Sequence, residues 1–276
     1  MYNIVLIANK ETKVGLGNRL GGLISGIRFA NYYKTDLYIC WEKTKQINVE
    51  FYKLFNNINL DYGKIIFIDE YKNLKNKKKT KWRLNILENE YELLSDDFIY
   101  EKDKNMKILD FKYNLIPKQI ITSITNCINR IEFNKYINKK VVEIYSKLKK
   151  KGKKIIGISI RSWPEREAKK RRLYYNINNY TKILNKYNDD FIFYISGDSD
   201  DEIEKLKKLY GSKLIYNKRK SLRMSYSEEC IIEDLIDLLV ISKTDILVGN
   251  KMSSFIELAW FLGGCKNNID LLEEYK

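Results

Sequence analysis

Short apolar runs typical of β-strands alternate with helical segments in both halves of this 276-residue chain, and this alternation limits the folds it can adopt. In the first half, strand-like runs at 2–8 and 36–41 flank a segment, 18–34, whose apolar residues recur at helical spacing. A further strand is predicted at 64–69. The second half predicts strands at 155–160, 191–196, 213–216 and 245–249, and helices at 175–187, 199–211, 227–243 and 253–264. Such alternation is typical of parallel sheets covered by helices.

A lysine-rich stretch at 150–154 is the best candidate for a linker, because a new strand begins directly after it. It divides the chain into an N-terminal domain, 1–150, and a C-terminal domain, 151–276. The predicted fold class is α/β, with two Rossmann-like domains facing each other across a cleft. Ligands of such sheets bind at the carboxyl ends of the strands, which is typical of proteins that handle nucleotides. Another lysine-rich stretch, 74–82, is predicted to be a solvated loop.

The chain contains no histidine. This excludes Ser-His-Asp and Cys-His catalysis, H-E-x-x-H zinc sites and any imidazole base. The base of an enzyme of this composition is therefore a carboxylate or the substrate itself. The cysteines form no C-x-x-C pair and are interpreted as buried thiols; they are Cys40, Cys127, Cys230 and Cys265.

The formal net charge of +15 favours contact with phosphates, nucleic acid or anionic membranes. The same charge also follows from a general compositional bias toward Lys, Asn, Ile and Tyr, and both interpretations stay open. No apolar run approaches the ~18 residues of a membrane span, and the N-terminal apolar run is too short for a signal peptide. We therefore expect a cytoplasmic protein, with peripheral contact at a membrane surface as a further hypothesis.

The glycine-rich stretch that begins at Gly15 allows three interpretations. Gly15, Gly17 and Gly21 have the spacing of a dinucleotide fingerprint, and Glu42 stands where a ribose-binding acid would lie, but residues 9–14 separate the first strand from these glycines. A second interpretation is a turn followed by a helix with a small-residue face. The third is an anion site, because the free N–H groups of a helix start favour negative charge.

Asn18 and Arg19 favour the third interpretation, since they add directed donors at the predicted helix start. The stretch 15–41, "GLGNRLGGLISGIRFANYYKTDLYICW", is similar to the N-terminal motif of the fucosyltransferase superfamily of GT-B glycosyltransferases. Three further stretches resemble the family's later motifs in the same order, at 156–167, 191–211 and 230–264. Residues 45–110 match no motif of the family.

The resemblance implies a role for individual residues. Arg161 matches the arginine that grips the donor β-phosphate, although Ser159 and Ser162 replace the histidine and the second arginine of that motif. Asp237 matches the carboxylate that hydrogen-bonds guanine. The N-terminal domain, 1–150, is expected to bind the acceptor and to contribute Asn18 and Arg19 to the cleft. The C-terminal domain, 151–276, is expected to bind the nucleotide sugar, with Ser253 and Ser254 at the phosphates. The residues alone support two of these roles, because an arginine at a strand's carboxyl end and serines at a helix N-terminus both suit phosphate.

The catalytic base is predicted to be Glu167, with Glu165 as its neighbouring alternative. The function that the resemblance implies is inverting transfer of fucose from GDP-fucose to a glycan, lipid-linked or protein acceptor, with no cofactor and no metal. The D-x-D tripeptide at 198–200 offers a manganese site as an alternative, although it also serves as a helix start. The sequence leaves open a degenerate sugar-nucleotide-binding protein, an NAD(P)-dependent oxidoreductase and a basic nucleic-acid-binding α/β protein. The scattered lysines and the lack of an RNP-like motif argue against nucleic acid as a partner.

Overall fold

The computed structural model describes residues 3–8, 14–68, 77–80, 84, 86–87, 89–90, 116–162, 176–187, 189–250 and 253–272. The chain divides into two compact units, Met1–Lys135 and Tyr136–Lys276. Each unit contains a parallel sheet, so the predicted α/β class is confirmed. Among the described helices, none combines the length and the apolar character that crossing a membrane requires.

The first unit begins with a strand, a long helix and a second strand. In chain order its elements are β1 (Asn3–Ala8), α1 (Leu16–Tyr32), β2 (Leu37–Trp41), α2 (Phe51–Leu54), β3 (Phe55–Ile58), β4 (Ile65–Phe67), β5 (Lys77–Thr80), α3 (Lys118–Ile128) and β6 (Ile131–Phe133). The parallel sheet has the strand order β4-β2-β1-β5, and β3 pairs with β6 in antiparallel fashion.

Helix α1 packs closely on this sheet. Its predicted core positions Leu23, Ile24 and Ile27 are at most 1% exposed. A Cβ added at Gly26 would lie 3.1 Å from Leu37 Cδ1 in β2, so glycine permits the close approach. The close packing that the second interpretation of this stretch implies is therefore observed at Gly26.

Strand β5 corrects the prediction of a loop at 74–82. Lys77–Thr80 pairs in parallel with β1, with Asn3 opposite Lys77 and Leu6 opposite Thr80. The run Lys-Lys-Lys-Thr has no apolar alternation that would indicate a strand. Its pairing with β1 alone identifies it as a strand.

The second unit contains a five-stranded parallel sheet. In chain order the elements of this part of the chain are α4 (Lys135–Lys149), β7 (Lys154–Ile160), α5 (Ile177–Leu184), β8 (Phe191–Gly197), α6 (Asp200–Tyr210), β9 (Leu214–Tyr216), α7 (Glu228–Ile241), β10 (Ile246–Asn250), α8 (Ser254–Leu262) and β11 (Asn268–Leu272). The strand order is β11-β10-β7-β8-β9.

The predicted domain boundary at 150/151 lies in the turn between α4 and β7, whereas the two units divide between Lys135 and Tyr136. The N–H of Gly152 donates to the carbonyl of Lys149 at 3.0 Å, and Gly152 has a φ of +65°. The lysine-rich stretch is therefore a tight connection from a helix to a strand, which glycine permits because it adopts positive φ without strain.

The order of the second sheet reverses at β7. Strands β8 and β9 extend the sheet on one side of β7, and β10 and β11 extend it on the other. In open parallel sheets, such a reversal leaves a crevice outside the carboxyl ends of the two central strands, where ligands bind. The residues that follow β7 and β10 are therefore the first to consider as a site.

Candidate functional site

Arg161 is the first residue after β7, at the carboxyl end where the sheet order reverses. Its backbone N–H donates to the hydroxyl of Tyr180 at 3.2 Å, and its Nη1 lies 2.8 Å from Asp198 Oδ2. The side chain of Arg161 retains 29% of its surface exposed. The predicted phosphate-binding arginine is therefore both oriented by a carboxylate and accessible.

Asp198 follows the last residue of β8 and connects this strand end to β7. Its Oδ1 accepts the backbone N–H of Ser162 at 2.8 Å and the hydroxyl of Ser162 at 2.7 Å. Its side chain is only 6% exposed. Asp198 thus holds the backbone after β7 as well as the guanidinium of Arg161.

A buried tyrosine links the ends of β7 and β10. The hydroxyl of Tyr180 lies 3.2 Å from the carbonyl of Ser159 and also contacts the side-chain carbonyl of Asn250, and its single proton serves one of these acceptors at a time. Asn250 Nδ2 donates to the carbonyl of Arg161 at 3.5 Å. The backbone carbonyl of Asn250 accepts the N–H of Ser253 at 3.0 Å. These contacts connect Arg161 to the start of α8.

Ser253 and Ser254 lie at the N-terminus of α8, as the sequence predicts. Ser253 is the N-cap residue, and its hydroxyl makes no capping hydrogen bond to the helix. The first N–H groups of a helix have no partner within the helix and favour anions. Arg161 after β7 and the two serines at the start of α8 thus have the positions in the fold that the sequence predicts, and their contact with phosphate stays a prediction.

Asp237 lies inside the second unit and is 0% exposed. It accepts the hydroxyl of Tyr194 at 2.6 Å and Nη2 of Arg219 at 2.6 Å. Burial and the Asp237 carboxylate raise the pKa of Tyr194 well above its ordinary value. Asp234, its neighbour on the same helix, pairs with Nη1 of Arg219 at 2.6 Å. Both oxygens of Asp237 thus have protein partners, and its contact with guanine stays a prediction.

Two further arginines at this edge were missed by sequence reasoning. Arg219 lies between β9 and α7, and burial alone would lower its pKa, but Asp237 and Asp234 raise the pKa above its usual value. Arg223 donates from Nε to Asp200 Oδ1 at 2.6 Å and from Nη1 to the carbonyl of Gly197 at 2.9 Å. The signal that could have found them is the run "KRKSLR" at 218–223, directly after a predicted strand.

The two carboxylates of the D-x-D tripeptide have different arginine partners. Asp198 is bound to Arg161 and Ser162, and Asp200 is bound to Arg223. The described residues contain no cluster of three or more His, Cys, Asp or Glu side chains that could hold a metal ion. Both carboxylates of the tripeptide thus contact arginines, and Ser199 caps α6 by accepting the N–H of Glu202.

The glycine-rich stretch places Arg19 in the interior of the first unit. Arg19 is 0% exposed and donates to the carbonyl of Glu42 at 3.2 Å and to Thr44 Oγ1 at 3.0 Å. Its guanidinium carbon lies 4.6 Å from the ring centroid of Trp41, and burial lowers the pKa of Arg19 to about 10. Asn18 is half-buried in the first turn of α1. Arg19 thus fixes the segment after β2, and a donor contact of either residue stays a prediction.

The candidate bases Glu165 and Glu167 lie outside the described residues, because the structure describes nothing between residues 163 and 175. The assignment of Glu167 as the catalytic base therefore also stays a prediction.

No family model matches this chain, and no curated protein matches it. Solved structures do match. Fucosyltransferase NodZ from Bradyrhizobium is 14% identical, with a TM-score of 0.59 over 94% of this chain and 91% of NodZ. A mutant of Arabidopsis thaliana FUT1 in complex with GDP is 13% identical, with a TM-score of 0.56 over 100% of this chain and 71% of FUT1. POFUT1 in complex with GDP is 8% identical, with a TM-score of 0.51 over 99% of each chain.

NodZ is described as an α-1,6-fucosyltransferase, and its structures include one co-crystallised with GDP and one soaked with GDP-fucose. At these sequence identities a structural likeness establishes the fold, and activity requires separate argument. The resemblance found in the sequence motifs is thus confirmed at the level of the fold. This chain has the α/β fold of these fucosyltransferases.

Proposed function

We propose that the protein is a glycosyltransferase that transfers fucose from GDP-fucose to an acceptor hydroxyl, with inversion and without a metal ion. The observation that carries the proposal is the position of Arg161. It lies at the carboxyl end of β7, where the sheet order reverses, is partly exposed and is oriented by Asp198. The fold it shares with fucosyltransferases, some of them solved with GDP or GDP-fucose, supports the choice of donor.

Departure of the sugar leaves negative charge on the β-phosphate of GDP. A guanidinium can donate two parallel hydrogen bonds to a phosphate, and such charge-assisted bonds strengthen as the charge develops. The N-terminus of α8 adds backbone N–H donors beside the hydroxyls of Ser253 and Ser254. In the proposed site these groups neutralise the negative charge of the departing GDP. Glu167 accepts the proton of the acceptor hydroxyl.

The metal-free part of the proposal rests on the partners of the D-x-D carboxylates. Asp198 and Asp200 are engaged by Arg161 and Arg223, and a metal ion would have to compete with these guanidinium groups for the carboxylates. Base recognition by Asp237 requires guanine to reach a fully buried carboxylate whose two oxygens already accept from Tyr194 and Arg219. The proposal does not depend on Asn18 or Arg19.

A sugar-nucleotide-binding protein that no longer transfers is the second candidate. Ser159 favours this candidate, because it stands where the corresponding fucosyltransferase motif has a histidine. The side chain of Ser159 is also buried, with 6% of its surface exposed. Both candidates require GDP binding, and only the first requires turnover. Release of GDP from GDP-fucose, with water or a glycan as acceptor, separates them.

The test of the donor site is isothermal titration of GDP in EDTA. We expect Arg161→Ala to weaken GDP binding by about 10- to 100-fold, the contribution of one or two charge-assisted hydrogen bonds. Arg130→Ala is the matched control, because Arg130 is also 29% exposed and also pairs with an aspartate, Asp61. Absence of GDP binding, or equal losses in the two variants, would contradict the proposal. Binding that appears only with Mn²⁺ would contradict its metal-free part.

A lipid-linked or otherwise anionic acceptor at a membrane surface would suit the net charge of +15, and a glycan or protein acceptor is equally compatible with the donor site. Cosedimentation with anionic vesicles at low salt tests the membrane contact. Absence of binding to such vesicles would remove it and leave the donor proposal untouched.

A further inference from the structure

A cavity of about 1020 Å³ lies in the first unit, between β4 at the edge of the sheet, its neighbour β2 and the segment α2–β3. Its volume lies at the upper limit of the range typical of small-molecule sites. Most of its lining comes from residues 50–68, which belong to the part of the chain without a recognised motif. The donor chemistry described above does not use these residues.

Aromatic rings form much of the cavity wall. The ring centroids of Phe51 and Phe67 lie 4.8 Å apart at an interplanar angle of 66°, and those of Trp41 and Phe51 lie 5.3 Å apart at 82°. Phe55 lines the cavity from the core and is 1% exposed, whereas Tyr52 and Phe67 are 63% and 56% exposed. Exposed rings beside a buried one offer apolar surface that a ligand can cover.

Hydrogen bonds hold two of these rings in place. Trp41 Nε1 donates to the carbonyl of Val49 at 2.9 Å, which ties β2 to the segment before α2. The hydroxyl of Tyr52 donates to the carboxylate of Glu50. Glu50 in turn pairs with Lys43 at 3.2 Å. A cavity whose rings are held in this way loses less conformational entropy when it binds a ligand.

Side-chain amides accompany the rings. Asn56 Nδ2 donates to Glu132 Oε1 at 3.0 Å, and Asn57 Nδ2 donates to Asn59 Oδ1 at 3.1 Å. These three asparagines line the cavity and are exposed. A carboxamide carries two donors and a carbonyl acceptor, so it can bond further hydroxyl groups as donor and as acceptor.

The charge of the cavity contrasts with that of the protein. The chain carries a net charge of +15, yet the charged side chains of this lining are Glu50 and Lys64, whose charges cancel. Attraction of a phosphorylated ligand would need clustered positive charge. Rings, amides and balanced charge together suit a neutral polyhydroxy compound, because a sugar ring has apolar C–H faces and a hydroxyl-bearing edge.

We propose that this cavity binds a neutral glycan, with pyranose faces against the rings of Tyr52 and Phe67 and hydroxyls at the asparagines. Its role as a subsite for the acceptor rests on the proposed transferase function. Glycan binding itself does not. The acceptor class that follows is a neutral oligosaccharide, either free or as the carbohydrate part of a larger molecule.

Saturation-transfer NMR tests the site with a panel of neutral tetrasaccharides built from glucose, galactose, xylose or N-acetylglucosamine. At least one member is expected to bind the wild type, and Phe67→Ala to weaken it about tenfold or more, the loss of one stacked ring. Tyr52→Ala is the second variant, expected to act in the same direction. The matched control is Tyr136→Ala, which removes a tyrosine that is 54% exposed in α4 and outside the cavity. Thermal unfolding of each variant verifies that it is folded.

Titration of GDP into the same variants separates the two proposals. Unchanged GDP binding together with weakened glycan binding in Phe67→Ala and Tyr52→Ala supports the cavity. GDP binding with no tetrasaccharide bound, or with equal glycan binding in all variants, overturns the cavity and leaves the donor site standing. Glycan binding that depends on Phe67 in a protein that does not bind GDP supports the cavity and contradicts the transferase.

Discussion

Arg161 and Asp198 form an ion pair, Nη1 to Oδ2 at 2.8 Å, that joins the carboxyl ends of two adjacent strands, β7 and β8. The other oxygen of the carboxylate accepts two hydrogen bonds from Ser162. One aspartate therefore orients both the guanidinium and the backbone next to it. Orientation before binding lowers the entropy lost when a phosphate is bound.

Asp198→Asn is expected to weaken GDP binding about tenfold, because an amide offers one carbonyl and cannot accept from both Arg161 and Ser162. In a double-mutant cycle measured by titration calorimetry, Asp198→Asn combined with Arg161→Ala should lose no more affinity than Arg161→Ala alone. Additive losses would show that Asp198 acts on the nucleotide independently of Arg161.

Arg19→Ala is expected to destabilise the protein by about 2–4 kcal/mol, because a fully buried side chain with two hydrogen bonds and a tryptophan contact is lost. GDP affinity of the folded variant should stay within twofold of the wild type. Thr44→Val removes an acceptor that Arg19 shares with the backbone N–H of Ile47, and it should cost about 1–3 kcal/mol by chemical denaturation. A loss of GDP affinity without loss of stability would instead favour the donor contact that the sequence resemblance implies.

The site residues that could be predicted are those fixed by local pattern. Arg161 follows an apolar run and Ser253 precedes an apolar helix, and in a parallel α/β fold both positions lie at the carboxyl edge of the sheet. The sequence predicts helix α1 at 18–34, and the structure has it at Leu16–Tyr32. The two ranges differ by two residues at each end, because apolar spacing identifies the buried face of a helix more sharply than its ends.

The parts that could not be predicted depend on contacts between distant segments. Lys77–Thr80 is a strand because β1 lies beside it. Arg19 has the residue type of an anion-binding group, and its burial follows from the path of the chain after β2, which brings Thr44 to its guanidinium. Arg219 acquires its partners only when α7 packs beside its loop. Local periodicity carries no information on such pairings.

Asp237→Asn is expected to lower the free energy of unfolding by about 3–5 kcal/mol, because it removes a carboxylate that faces the buried guanidinium of Arg219. Tyr194→Phe removes a single hydrogen bond to the same carboxylate and should cost about 1–2 kcal/mol. Urea denaturation measures both. A loss below 1 kcal/mol for Asp237→Asn would show that this carboxylate does not stabilise the second unit.

Cys265 is expected to resist alkylation, because burial raises the pKa of its thiol to about 12. At pH 8 the thiolate fraction is then about 10⁻⁴, against about one quarter for an unperturbed cysteine. Iodoacetamide should label it about 10³-fold more slowly than a cysteine peptide, with the rate rising tenfold per pH unit between 7 and 9. Mass spectrometry of the labelled protein measures this rate, and the urea-unfolded chain is the control. Cys265 is half-buried, so labelling as fast as the peptide would contradict the raised pKa of its thiol.

Gly249→Ala tests whether the close packing of α8 on β10 positions the phosphate site. An added Cβ would lie 2.4 Å from Ile256 Cγ1, and Ile256 is 0% exposed, so the helix must move away from the strand. We expect a loss of about 1–3 kcal/mol in stability and at least about tenfold in GDP affinity, since Ser253 moves with the helix. Calorimetric titration and chemical denaturation measure the two effects.

Gly15→Ala is the control for this change. A Cβ at Gly15 meets no atom within 4 Å, and its φ of −79° is accessible to alanine. The poorer N-cap and the lower entropy of the unfolded chain offset each other, so stability should change by less than about 0.5 kcal/mol.

Gly249→Ala combined with Ile256→Ala restores the space between β10 and α8 and should recover most of the GDP affinity. If this double variant binds GDP as weakly as Gly249→Ala, displacement of α8 is not the cause of the loss.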